Sequence, residues 1–223
     1  MGMIKSFLKK VAGLLLLPVC VGVSYAFYEH LGRIRAVTNE QKYFLYGAIV
    51  YLIVHTLFFR PDYLYVLGHE VMHVVATWIS GGRVTSFRVT ARGGHVRTTK
   101  SNIFIALAPY FIPFYTILIV VIFWGVSLIM YTKASYNIFL WLVGFSLALH
   151  IVLTVDFLKT KQTDLLHAGY LTSNCLIYIV NLSIICLIFG LLFREINFFR
   201  YVVACYDYTR DIYASLFKNL FMW

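Results

Sequence analysis

Apolar residues collect into six long runs along this chain: Val11 to Tyr28, Tyr43 to Phe59, Tyr63 to Ile79, Ile103 to Tyr131, Tyr136 to Leu158 and Cys175 to Phe193. Each is about as long as a helix must be to cross the hydrocarbon core of a bilayer, and charged residues, glycine or proline separate them. The pattern predicts an all-α polytopic membrane protein with about six transmembrane segments. Arg60-Pro61-Asp62 breaks the chain before the third run, and Ser80-Gly81-Gly82 ends it, because glycine terminates helices. Pro109 and Pro113 interrupt the fourth run, where a helix lacking their N–H groups must kink or open. Between Arg83 and Thr99 the rhythm changes to alternating β-branched and basic residues, which predicts a short β-hairpin turning at Gly93-Gly94. Phe87, Val89 and Ala91 would share one face of it, and Ser86, Arg88, Thr90 and Arg92 the other. After Asn197, the charges Arg200, Asp207, Asp211 and Lys218 recur on one helical face, which predicts an interfacial helix over 195–223.

Composition sharpens this picture. Hydrophobic residues make up 61% of the 223 residues and charged residues 13%, with a mean hydropathy of +0.80, so lipid is the expected solvent. No Pro/Ser linker or charge block sets off a second domain. The expectation is one membrane-embedded domain: N-terminal membrane helices over 1–62, a core over 63–194, then the C-terminal helix. The net charge of +10 comes from lysines and arginines lying between apolar runs. Anionic headgroups would meet them there, so the expected partner is the lipid bilayer of the cell membrane and not nucleic acid. Cys20, Cys175, Cys186 and Cys205 lack Cys-x-x-Cys spacing and read as small core hydrophobes. Lys5, Lys9 and Lys10 before an apolar run ending near Ser24-Tyr25-Ala26 resemble a signal peptide, but the membranous chain downstream favours a retained anchor.

Chemistry concentrates in the third run, which contains His69-Glu70-Val71-Met72-His73. Residues four apart share one helical face, so His69 and His73 can offer two imidazoles to one Zn2+ ion while Glu70 stands beside them as a general base. A catalytic zinc takes three protein ligands and keeps one open position, so a third donor must come from elsewhere. Asp164, at the expected opening of the helix after the fifth run, is preferred to Asp156, which could instead neutralise Lys159. His167 lies three residues past Asp164 and would share its face, as a ligand, a partner of a ligand or a substrate contact. Gln162 could hold the carboxylate or a substrate carbonyl, or cap a helix. His150 reads as a hydrogen-bonded core side chain and His95 as a solvent-facing loop residue.

Gly68-His69-Glu70-Val71-Met72-His73, then Gly81-Gly82-Arg83-Val84, the hairpin, and Ala106-Leu107-Ala108-Pro109 together resemble the site-two protease family of intramembrane zinc metalloproteases. The resemblance spans roughly Leu64 to Leu182 and fits a compact form without a PDZ domain. It implies a zinc ion held by His69, His73 and Asp164, with Glu70 acting on water. It also implies hydrolysis of a membrane protein or peptide substrate, which Gln162 and His167 could contact. The chain departs from the family in following its aspartate with Leu165, where glycine is common. Two rivals stand beside this reading. A di-iron hydroxylase or desaturase needs several histidine-rich boxes, whereas His30, His55, His95, His150 and His167 stand singly. A non-catalytic, metal-containing membrane binding or transport protein would have the same composition.

Overall fold

The structure, a computed structural model, describes residues 2–58, 60–90, 93–160 and 162–221. Its elements run α1 (Gly2–Leu31), α2 (Asn39–Leu57), α3 (Asp62–Ile79), β1 (Val84–Thr90), β2 (Gly93–Thr98), α4 (Ile103–Phe111), α5 (Phe114–Ser127), α6 (Lys133–Leu158), α7 (Tyr170–Leu192) and α8 (Phe198–Phe221), with a 3-10 turn at Asp164–Leu166. They fall into two compact units, Met1–Val37 with Leu165–Trp223, and Thr38–Asp164.

In the unit Thr38–Asp164, local chemistry marks the helix ends. A capping box opens α2, where the Gln41 amide donates to Thr38 Oγ1 (3.2 Å) and the Thr38 amide donates to Gln41 Oε1 (2.8 Å). Thr132 and Ser135 repeat the device at α6. Helices α2 and α6 meet backbone to backbone: a Cβ on Gly47 would stand 1.9 Å from the Trp141 carbonyl oxygen, and one on Gly144 would stand 1.9 Å from that of Phe44. Such close approach through glycine is how apolar helices associate where the hydrophobic effect cannot drive them. The motif helix α3 ends as its sequence predicts. Gly82 N–H donates to Thr77 O (2.8 Å) and Gly81 N–H to Trp78 O (2.9 Å), with Gly81 left-handed at φ 69°, which is a Schellman cap.

The hairpin is antiparallel, pairing Phe87 with Val96, Arg88 with His95, Val89 with Gly94 and Thr90 with Gly93, with an irregularity between Val84 and Ser86. The turn is therefore not at Gly93-Gly94. Both glycines belong to β2, paired with Thr90 and Val89, and the expected placing of Ala91 and Arg92 lies outside the described residues. The fourth apolar run is likewise two helices. Pro109 sits inside α4 without ending it, and the chain bends by 68° between α4 and α5, where Pro113 starts the new helix.

In the other unit α1, α7 and α8 pack around Val23, Ala26, Cys186, Phe193, Ile196 and Tyr201. Helix α8 lies antiparallel along α1. The Tyr201 ring meets His30 edge-on at 5.8 Å, Tyr208 Oη donates to Glu29 Oε2 (3.1 Å), and Tyr213 Oη donates to the Leu15 carbonyl. Arg210 pairs with Asp207 and Asp211 on the same helix. All four cysteines are free thiols, with Cys175 and Cys186 buried.

Three of the described helices are long and apolar enough to cross a membrane: Ser6–Leu31, Lys133–Leu158 and Tyr170–Leu192. The number becomes five when each sharply bent pair, α2 with α3 and α4 with α5, is taken as one broken span. The difference from six has a local cause. The second and third apolar runs join at the bend around Pro61, and α4 is only nine residues long.

Candidate metal centre

Helix α3 carries His69, Glu70 and His73 on its inner side, where Tyr65, Gly68, Glu70 and Met72 are buried. Asp164 comes to the two histidines from the turn after α6. Its Oδ2 lies 3.5 Å from His69 Nε2 and 3.5 Å from His73 Nε2. Tyr110, fully buried on α4, donates to the same oxygen at 3.3 Å. Burial alone would raise the Asp164 carboxyl, but the His69 and His73 imidazoles beside it outweigh that and hold the group well below the usual carboxylate range. The third donor is therefore a carboxylate at neutral pH.

These atoms suit a small divalent cation. Among the described residues His69, His73 and Asp164 form a cluster whose ligand atoms lie within 4.8 Å of one another. Zinc–nitrogen and zinc–oxygen bonds of about 2.0–2.2 Å in a tetrahedron put neighbouring ligand atoms about 3.3–3.6 Å apart. The two measured nitrogen–oxygen separations match that edge. Two imidazoles and one carboxylate also leave a fourth position open.

Local structure fixes His73. Its Nδ1 lies 2.9 Å from the Ile105 carbonyl oxygen, so Nδ1 carries the proton and Nε2 presents its lone pair to the site. In an α-helix that carbonyl would accept from the amide four residues on. That residue is Pro109, which has no N–H. The proline thus frees the oxygen that orients His73.

Glu70 is 7% exposed, and β2 passes directly over it. A Cβ on Gly94 would lie 2.6 Å from Glu70 Cγ and 2.9 Å from Cδ. Only a residue without a side chain lets the strand come this near the carboxylate.

The other sequence candidates lie elsewhere. Asp156 belongs to a separate ion-pair group with His55 Nε2 (3.1 Å) and Lys159 Nζ (2.6 Å) at the end of α6. Gln162 donates from Nε2 to Thr160 Oγ1 (2.6 Å) and Phe157 O (3.3 Å), closing the last turn of α6 as a cap. Asp164 opens a 3-10 turn and not α7, so the shared helical face expected for His167 does not form. His167 lies exposed in the turn that follows. His95 sits exposed within β2, and His150 is buried on α6. Sequence reasoning missed Tyr110 and the part played by Gly94. A hydroxyl directly after the Ala-Leu-Ala-Pro stretch is the signal that could have found the first. The second had none, because the approach of strand to helix is a tertiary fact.

No family model, curated protein or solved structure matches the chain. The chemistry of the donor set therefore carries the functional argument.

Proposed function

We propose that this protein is a multi-pass intramembrane zinc metalloprotease of the cell membrane that hydrolyses peptide bonds of membrane-associated substrates. The observation that carries the reading is the convergence of His69, His73 and Asp164 at ligand spacing, with Glu70 one residue along the same helix. His69, His73 and Asp164 would hold the ion. When bound, zinc supplies Lewis-acid polarisation of water and of the scissile carbonyl. Glu70 takes the proton from the attacking water and delivers it to the departing amine. Its burial beneath β2 keeps bulk water away from the carboxylate. Tyr110 holds the Asp164 carboxylate toward the two imidazoles.

A helical substrate hides its backbone, so it must unwind before cleavage. Each strand of the two-stranded hairpin has one unpaired edge, which can take an extended segment as a third strand beside Glu70. The Gln162 amide nitrogen caps α6. The test is Glu70→Gln in detergent-purified protein with a membrane-tethered peptide substrate. Zinc retained at about one per chain with cleavage abolished supports the protease. Zinc retained with the protein's function unchanged would transfer the assignment to a non-catalytic binding or transport role.

A further inference from the structure

We propose that His150 is a positioning residue for the metal centre, holding His69 through one buried water molecule. The inference rests on the metal-centre reading above and adds a residue that reading does not use.

The two histidine ligands are supported unequally. His73 Nδ1 has the Ile105 carbonyl, whereas His69 Nδ1 is buried with no hydrogen-bond partner among the described residues. A ligating imidazole needs its second nitrogen engaged, because that bond fixes the tautomer, orients the ring and strengthens the donor. Beside His69 lies a small pocket of about 20 Å³, walled by Tyr65, Gly68, Pro109, Tyr115 and His150 among others. Neither Asp164 nor His73 lines it. The pocket thus borders the His69 ring apart from the residues that gather at Nε2.

Its volume suits one water, which needs roughly 10–15 Å³ and two to four polar partners. The partners are at hand. His69 Nδ1–H donates to the water, and the water donates to a ring nitrogen of His150, which is only 6% exposed on an otherwise apolar stretch of α6. The Tyr65 hydroxyl, also buried without a partner, lines the same pocket and completes the set. One molecule thus satisfies two orphaned groups, His69 Nδ1 and the Tyr65 hydroxyl, and links them to His150.

Zinc affinity of the full-length, detergent-purified protein measures this, by competition with a chelating indicator. Wild type is compared with His150→Phe, which fills the site without a polar atom, and His150→Gln, which keeps one. The expected result is a 10- to 100-fold weaker zinc affinity for His150→Phe, with most of the loss restored in His150→Gln, as is typical of partners one shell beyond a metal. The cobalt-loaded proteins should follow the same order, with the visible absorption shifted in the phenylalanine variant alone. Where His150→Phe does not purify folded, His150→Ala takes its place against His150→Gln. Unchanged affinity in the apolar variant, or equal losses in the apolar and glutamine variants, overturns the proposal. A wild-type protein that binds no zinc overturns the metal centre itself, a result distinct from either.

Discussion

Replacing Gly94 with alanine tests the most specific piece of geometry at the site. The new Cβ would stand 2.6 Å from Glu70 Cγ, 2.9 Å from Cδ and 2.8 Å from the Arg88 carbonyl oxygen. Carbon atoms in ordinary contact are about 3.5–4.0 Å apart, so roughly 1 Å of movement must be found. The Arg88 carbonyl belongs to the neighbouring strand, so the Glu70 side chain is the partner that gives way. A displacement of about 1 Å at a reacting group costs about 10²-fold in rate. Gly94→Ala should therefore lower kcat by about that factor, within the roughly 10²–10⁴-fold loss expected for deleting a general base through Glu70→Gln. Zinc should stay at about one per chain, because none of the three ligands meets the added methyl. The assay pairs metal content by mass spectrometry with hydrolysis of a quenched-fluorescent apolar peptide. Gly125→Ala, whose Cβ meets nothing within 4 Å, serves as the control. Full turnover by Gly94→Ala would refute the claim that this glycine sets the position of Glu70, and loss of zinc would show that β2 supports the ligands instead.

Asp164→Ala should abolish stoichiometric zinc, whereas Asp156→Ala should keep it and lower Tm by about 2–4 °C through its lost ion pairs with His55 and Lys159; mass spectrometry and thermal scans separate the two. Chelation of a protein held at about 100 times its zinc Kd should remove about 2.7 kcal/mol of stability, seen as a Tm lower by about 5–10 °C and restored by added zinc. Gly144→Ala drives a methyl to 1.9 Å from the Phe44 carbonyl oxygen, where no side chain can rotate away. It should cost about 1–3 kcal/mol or more in detergent unfolding while leaving zinc stoichiometry unchanged in the folded fraction.

The sequence made the candidate metal site more legible than the path of the chain around it. His69, Glu70 and His73 lie within one helical turn, where spacing alone dictates a common face. Asp164 is more than ninety positions away from them, and its choice over Asp156 rested on a helix opening that turns out to be a 3-10 turn. What separates the two aspartates is partly tertiary, since His55 from another helix joins the local Lys159 in occupying Asp156. The end of α3 was readable because Gly81 and Gly82 form a local cap. The hairpin turn was misplaced because the Gly93-Gly94 pair looks the same whether it serves a turn or a close approach, and only Glu70 beneath the strand distinguishes them. Pro61 and Pro113 mark the breaks in the sequence, but a proline does not say how far the chain turns, so the bends of 119° and 68° that join neighbouring helices into broken spans were not legible.

Pro109 sets thermal robustness against chemistry. An interior proline is worth up to about 3 kcal/mol less to a helix than alanine. A campaign to stabilise this protein by raising helix propensity would therefore select position 109 early. The alanine amide would then share the Ile105 carbonyl with His73, so the firmer α4 should come with looser metal and slower turnover. Screens scored on melting temperature alone would enrich such variants and discard activity unnoticed.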